Sequence, residues 1–301
     1  MKRDITVSIC MITYNHEKYI AEAIEGILMQ VTNFTIELVV GEDFSTDNTL
    51  MICLDYQKKY PEKISLLPSE QNIGVIPNFV RTLKACTGKY TAICEGDDYW
   101  TDPYKLQKQV DFMEANPQYS MCFHDVEIVG NNRFSFKTYS QRFANRYQQG
   151  TFTYSDILKY KVLAATCSYF FRNEIKGEFK DWFYKMYGGD SALMFVLSKK
   201  GSIKYLPELM AAYRVNEGSV ERKYDDNLKK AERNIKEELV YVKEVLPFKD
   251  RKYAYKRLGW NYLYLGIKKT ISRGDINSIN LLYRASVYYL MFTILYVKKY
   301  F

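Results

Sequence analysis

Five carboxylates fall where an alternating strand and helix chain would carry them to one edge: Glu42 and Asp43, then Glu95, Asp97 and Asp98. Acids this close repel one another, so a fold that keeps three within four positions needs a cation or donor groups to offset the cost. His16 and His124 are the two histidines, so a cation would be held mainly by carboxylate oxygen, which favours Mg2+ or Mn2+. Those ions complete their shells with substrate phosphates, which makes a nucleoside diphosphate the natural ligand. Neither a GxxxxGKS/T loop nor a GxGxxG turn is present to cradle phosphate with backbone amides. The metal would take over that work. Transfer of a group off a diphosphate has this need, because charge builds on the leaving group and a bridging cation lowers the barrier.

These acids require a parallel sheet, since functional groups gather beyond the carboxyl ends of its strands. The apolar run Ile5, Val7, Ile9, Met11, with Cys10 and Ile12 between, predicts a strand buried on both faces and ending in Thr13-Tyr14-Asn15. Ile20, Ala23, Ile24, Ile27 and Leu28 then recur at helical spacing between Glu17 and Gln30. Glu37 to Asp43 reads as a second strand, and Ser45 or Asp47 caps a helix running to Lys59. Ile64 to Leu67 and Tyr90 to Glu95 are further strands flanking a helix over 76–86. The alternation implies an α/β fold with a mainly parallel central sheet and right-handed crossovers. Leu106, Val110 and Met113 line the next helix, Gln118 to Val129 makes one or two strands, and 130–150 reads as a long surface loop. Cys167 to Phe171 is a strand, Gly189 to Lys199 a helix, and Ile203 to Arg214 a pair of short strands.

The segments VSICMITYNHEKYIAEAIEGILMQ, ELVVGEDFSTDNT, NIGVIPNF and GKYTAICEGDDYW, in that order, resemble the inverting glycosyltransferases of family 2, with fainter echoes at YGGDSAL and AYRVNEGS. The resemblance implies the GT-A fold and transfer of a sugar from a nucleotide diphosphate sugar, UDP-sugar first, to a glycan or lipid-linked acceptor in surface polysaccharide synthesis. It implies a nucleotide site of Thr13, Tyr14, Asn15, Asp43, Asn72 and Asp97. Tyr14 would lie against the base, Asp43 would accept from it, and Asp97 would reach the ribose. It implies a Mn2+ or Mg2+ site of Glu95, Asp97 and Asp98, with Asp98 the foremost ligand, and Asp190 as general base. An acid at 190 also makes chemical sense, since the acceptor hydroxyl must lose its proton as it attacks. The chain departs from the family pattern at Glu42 and Glu95, where Asp is usual, at Asn216, where His is frequent, and at Gly189. On the residues alone, Asp43 can also open an Asx-turn, Tyr14 can also plug the sheet edge, and Asp190 can also cap its helix.

With 301 residues and 47% apolar content the chain builds a sizeable core. Its six scattered cysteines read as reduced, which points to the cytoplasm. Residues 1–13 carry no signal-peptide pattern. Past Gly218 the character changes to charged helices, giving a catalytic domain over 1–218 and a basic, aromatic-rich helical extension over 219–301. Residues 249–301 hold 11 Lys and Arg against 2 acids, the whole of the +8 excess. The apolar stretch before Lys298 is shorter than the roughly 20 residues of a spanning helix. Residues 276–301 suit an anionic membrane surface, at the inner face of the cell membrane, or pack as a terminal helix. A catalytically silent membrane-associated partner is the alternative function. Nucleic-acid binding through the tail is disfavoured by the neutral body and its acidic edge.

Overall fold

The computed structural model describes residues 4–130, 136–161, 164–216, 227–273 and 279–297. The chain divides into two compact units, Met1–Lys180 with Gly188–Asn216, and Asp181–Tyr187 with Glu217–Phe301. The boundary expected near Gly218 lies outside the described residues.

The first unit opens with β1 (Val7–Thr13), α1 (Ile20–Leu28), β2 (Ile36–Glu42), α2 (Thr49–Lys59), β3 (Ile64–Leu67), α3 (Val75–Ala85) and β4 (Tyr90–Ile93). β1 pairs in parallel with β2 on one side and β4 on the other, and β2 pairs in parallel with β3. Both faces of β1 are covered, which is why its sequence is a continuous apolar run and not an alternation. Ile20, Ala23, Ile24 and Ile27 form the buried stripe of α1. α3 approaches β2 closely at Gly41, where a Cβ would meet the Thr82 hydroxyl at 1.9 Å. The Asn78 amide donates to the Gly41 carbonyl at 2.8 Å and so satisfies the backbone at that contact.

The unit continues with β5 (Tyr99–Trp100), α4 (Lys105–Ala115), β6 (Tyr119–Gly130), α5 (Tyr139–Arg142), α6 (Ala144–Tyr147), β7 (Thr151–Phe152), α7 (Tyr154–Tyr160) and β8 (Phe170–Arg172). After α8 (Asp181–Tyr184), which belongs to the second unit, come α9 (Gly189–Ser198) and β9 (Ser202–Val215). The sheet order is β3-β2-β1-β4-β8-β6-β9-β5, with β7 also on β9. It is parallel from β3 to β4 and again between β6 and β9, whereas β8, β5 and β7 run antiparallel to their neighbours.

Three expectations change. The strand expected over Cys167 to Phe171 starts at Phe170, because Thr166–Ser168 form a 3-10 turn. The pair of short strands at 203–214 is one strand, because its register on β6 steps from Leu206 to Leu209 and absorbs Pro207, which has no N–H for the ladder. The long loop over 130–150 is structured from Thr138 onward. Tyr139, Phe143 and Tyr147 stand four residues apart, and Tyr139 and Tyr147 are buried on the short helices α5 and α6. Tyr147 packs on Tyr205 and Phe123, with ring centroids 4.3 and 5.6 Å away. Lys105 is also buried, its ammonium 3.9 Å from the Trp100 ring and donating to Gln109 at 2.7 Å, and burial pushes it down to about 8.

The second unit carries α10 (Asn227–Val240), α11 (Lys252–Arg273) and α12 (Ile279–Val297). Arg257 clasps the buried Glu238 carboxylate with two donors, at 2.7 and 3.1 Å, tying α10 to α11. Tyr288 of α12 stacks on Tyr262 and Tyr255 of α11 at 5.5 and 5.9 Å. Trp182 lies 6.1 Å from Tyr241, the apolar anchoring that such a residue ordinarily finds. Among the described residues no helix is long and apolar enough to cross a membrane.

Candidate functional site

The carboxyl ends of β1, β2 and β4 lie side by side, so the segments that leave them meet. Asp43 N–H donates to the Thr13 carbonyl at 3.1 Å and Gly96 N–H to the Ile12 carbonyl at 3.0 Å, extending the ladders beyond the ends of β2 and β4. A Cβ on Gly96 would stand 2.6 Å from the Thr13 hydroxyl, so glycine lets the acidic turn close onto β1.

Around β2 the polar groups brace loops. The Asp43 carboxylate is buried and accepts the Ile73 and Gly74 N–H groups, each at 2.9 Å, while the Asn72 amide donates to the Asp43 carbonyl at 3.2 Å. Asn15 donates its N–H to Ser45 at 3.0 Å, and its side-chain oxygen accepts the Thr46 N–H at 2.8 Å. Thr13 is buried. Tyr14 is 41% exposed, and Asn15 and Asn72 are exposed as well. The structure thus brings Asp43, Asn72 and Thr13 together, with Tyr14 next in the chain, and the Asn15 side chain is spent on the loop that follows β2. Neither Ser45 nor Asp47 is the N-cap of α2, which falls at Asn48, but Asp47 accepts the Thr49 N–H at 2.9 Å and braces the helix start.

At β4 the three acids separate by environment. Asp97 is partly exposed and fixed from several sides: its carboxylate accepts from the Asn216 amide at 2.8 Å and lies 3.8 Å from His16 Nε2, and its carbonyl accepts from Arg214 Nε at 2.9 Å. Glu95 accepts from the Thr166 hydroxyl. Burial, then the charges of Asp97 and Asp190, push Glu95 up to about 7 against the Thr166 bond. Asp98 is 1% exposed, and its Oδ1 accepts the Arg214 N–H at 2.8 Å. Burial, with Asp97 and Glu95 beside it, holds its carboxyl well above the usual carboxylate range. Asp98, the foremost ligand expected from the sequence, is buried and joins the turn to β9 through its Oδ1. Asp190 stands in the first turn of α9, with Gly188 as the N-cap, and accepts the Ser191 N–H at 2.7 Å. Its charge adds to the upward push on Glu95.

The residues that sequence reasoning passed over are Arg214, Thr166 and His16. Arg214 lies between the Tyr19 and Tyr99 rings, 4.7 and 5.0 Å from their centroids, and pairs with Glu22 at 2.6 Å. His16 accepts the N–H groups of Tyr19 and Ile20 at its carbonyl, which opens α1, and also brings its ring to Asp97. The faint AYRVNEGS echo was the one sequence signal for Arg214 and Asn216.

The donor set suits a hard cation, because Glu95 and Asp97 present oxygen in an environment that penalises unneutralised charge. Among the described residues no three His, Cys, Asp or Glu side chains converge on a metal position. Glu95, Asp97 and Asp98 are the carboxylates this turn offers, and Mg2+ is ordinarily held by one or two carboxylates together with substrate phosphates.

The family model described as glycosyl transferase family 2 matches residues 8–175. An Escherichia coli relative, the UDP-Glc:alpha-D-GlcNAc-diphosphoundecaprenol beta-1,3-glucosyltransferase WfgD, is 34% identical over 129 residues, 43% of this chain and 49% of that protein. The aligned stretch spans between 36% and 49% of the length of such curated relatives. Among solved structures, Staphylococcus aureus TarS 1-349 in complex with UDP-GlcNAc superposes with a TM-score of 0.64 at 16% identity, over 93% of this chain and 79% of that one. The Pyrobaculum calidifontis mannosyltransferase PcManGT, in complex with GDP-Man and Mn2+, gives 0.62 at 16% identity, over 98% and 85%. These two likenesses establish the GT-A type of fold.

Proposed function

The chain belongs to glycosyl transferase family 2, and from that premise we propose that it moves a sugar from a nucleotide diphosphate sugar, UDP-sugar first, to a hydroxyl of a glycan or lipid-linked acceptor with inversion at the anomeric carbon. The observation that carries the reading is Asp97, an accessible carboxylate fixed by Asn216 and Arg214 beside Glu95, whose raised pKa registers Asp190 nearby. The names of the E. coli relative and of TarS support a UDP-sugar and a lipid-linked acceptor, and PcManGT supports manganese.

In this reading Tyr14 lies on the base, and Asp43, with the Asn72 loop it holds, lines the base pocket beside Thr13 and Asn15. Asp97 reaches the ribose and, with Glu95, would hold Mg2+ or Mn2+. A cation bound there supplies compensation for the charge that develops on the leaving diphosphate. Asp190 takes the proton from the acceptor hydroxyl as that oxygen attacks from the face opposite the diphosphate. The Ser191 N–H fixes one Asp190 oxygen at 2.7 Å and so presets the carboxylate for that transfer. Asp98, which the sequence put foremost at the metal, serves in this reading to hold β9, whose Arg214 donates to the Asp97 carbonyl.

Thermal denaturation tests the donor. A UDP-sugar with Mn2+ should raise the midpoint by mass action, GDP- and dTDP-sugars less, and a chelator should collapse the shift. No shift with any donor would end this reading.

The second unit extends it to an anionic membrane surface at the inner face of the cell membrane. Ile279, Tyr283, Val287, Leu290 and Ile294 recur every three or four residues along α12 and are all exposed, Tyr283 by 68% and Leu290 by 61%. The surrounding 249–301 segment has 11 basic residues against 2 acidic ones, so a negatively charged bilayer complements it. The protein should co-float with vesicles of phosphatidylglycerol and phosphatidylcholine, and Leu290→Asp with Ile294→Asp should abolish flotation while leaving donor binding alone. Flotation that survives both changes, or concentration-dependent dimerisation without vesicle binding, would contradict the membrane assignment.

A further inference from the structure

Phe44 is used by none of this chemistry, and its conformation is costly. It follows Asp43 at the end of β2 with φ of 62°, in the left-handed region that a bulky L residue enters only against steric strain. Burial does not offset that strain, because the side chain is 51% exposed. A large apolar ring held open to water in a disfavoured backbone state points to function.

The surroundings fix the backbone around Phe44 in place. The Ser45 N–H donates to Glu42 at 2.7 Å just behind it, and Ser45 and Thr46 are bonded to Asn15 at 3.0 and 2.8 Å just ahead. Those bonds lock the segment that follows β2 onto the segment that follows β1. The strands pair in register, Thr13 opposite Glu42, so Tyr14 and Asp43 stand one step beyond the last pair and Phe44 one step further. Two exposed aromatic residues therefore stand just past the ends of adjacent parallel strands, Phe44 directly after the buried Asp43. Val75, also exposed, opens the helix that follows the loop held by Asp43.

We propose that Phe44 is a nucleobase-contact residue, forming with Tyr14 an aromatic slot at the ends of β1 and β2 that receives the flat base of the donor nucleotide. A stacked base would cover the apolar surface that Phe44 now exposes, which is what makes the strained conformation worth keeping. The assignment rests on the nucleotide reading above and names a second aromatic for it.

Substituting glycine separates this role from a structural one, because relief of strain and loss of stacking move different readouts. The experiment is calorimetric titration of the full chain with UDP, GDP and inorganic pyrophosphate, each with Mn2+, alongside thermal denaturation, for wild type, Phe44→Gly and Phe44→Tyr. Phe44→Gly should melt higher than wild type, since glycine enters the left-handed region freely. It should nonetheless bind the nucleoside diphosphate about 10-fold more weakly and pyrophosphate unchanged, with Phe44→Tyr close to wild type. Equal nucleoside diphosphate affinity for Phe44→Gly and wild type overturns the assignment while leaving the nucleotide reading intact. A wild-type protein that binds neither UDP nor GDP overturns the nucleotide reading, and the assignment with it.

Discussion

Asp97→Asn should lower kcat/KM for sugar transfer by about 10^3-fold, the scale on which charge stabilisation at a departing diphosphate operates. The variant should fold normally, since Asp97 is partly exposed and its carbonyl bond to Arg214 does not depend on the side chain. What it loses is the full negative charge in the turn after β4. Asp98→Asn is the informative contrast. The Asp98 carboxyl is buried and held toward its protonated form, and an amide oxygen can still accept the Arg214 N–H, so activity should stay within about tenfold of wild type. Asp98→Ala leaves that N–H without a partner and should cost about 1–3 kcal/mol of stability instead. Steady-state kinetics and denaturant unfolding on the three variants check this. A loss at Asp98→Asn as deep as at Asp97→Asn would return Asp98 to the cation, where the sequence alone had put it.

Asp190→Asn should reduce kcat by about 10^2- to 10^4-fold and leave the dissociation constant of the donor near its wild-type value. The reason is positional. Asp190 lies in the first turn of α9, its one oxygen accepting the Ser191 N–H, and the asparagine oxygen can keep that bond while losing the basicity that deprotonates the acceptor. Single-turnover transfer together with equilibrium titration of the donor separates the two effects. Weakened donor binding with turnover reduced in proportion would mean that Asp190 shapes the pocket and does not act as the base.

The parts of this molecule that were legible in the sequence are those whose pattern reports burial directly. Strands covered on both faces must be apolar throughout, so β1 and β2 stand out from Val7 to Thr13 and Ile36 to Glu42, and the acids that end them are placed with them. Local rules failed where a compensating contact is distant. Tyr147 packs on Tyr205 and Phe123 and Tyr139 on Tyr213, all from distant strands, so their polar neighbours read as a loop. Pro207 broke the periodicity of β9 because its bulge is tolerated only through pairing with β6.

The site divides along the same line. Spacing brings Glu95, Asp97 and Asp98 into one turn, but which acid faces outward is decided by Arg214 and Asn216, more than a hundred positions later in the chain. Nothing in a four-residue acidic stretch encodes that choice. His16 shows the converse, because its carbonyl opens α1 as a helix-start residue should, and the same placement brings its ring to Asp97.

The central claim is that the acidic rim at the carboxyl ends of β1, β2 and β4 receives the donor, and a crystal of the full chain soaked with UDP-GlcNAc and Mn2+ tests it most directly. Density for the base beside Tyr14 and Asp43, with the manganese anomalous peak within bonding distance of Asp97, is the result expected. A nucleotide bound elsewhere on the protein, with the Asp97 carboxylate still held by Asn216 and no metal beside it, would contradict the account.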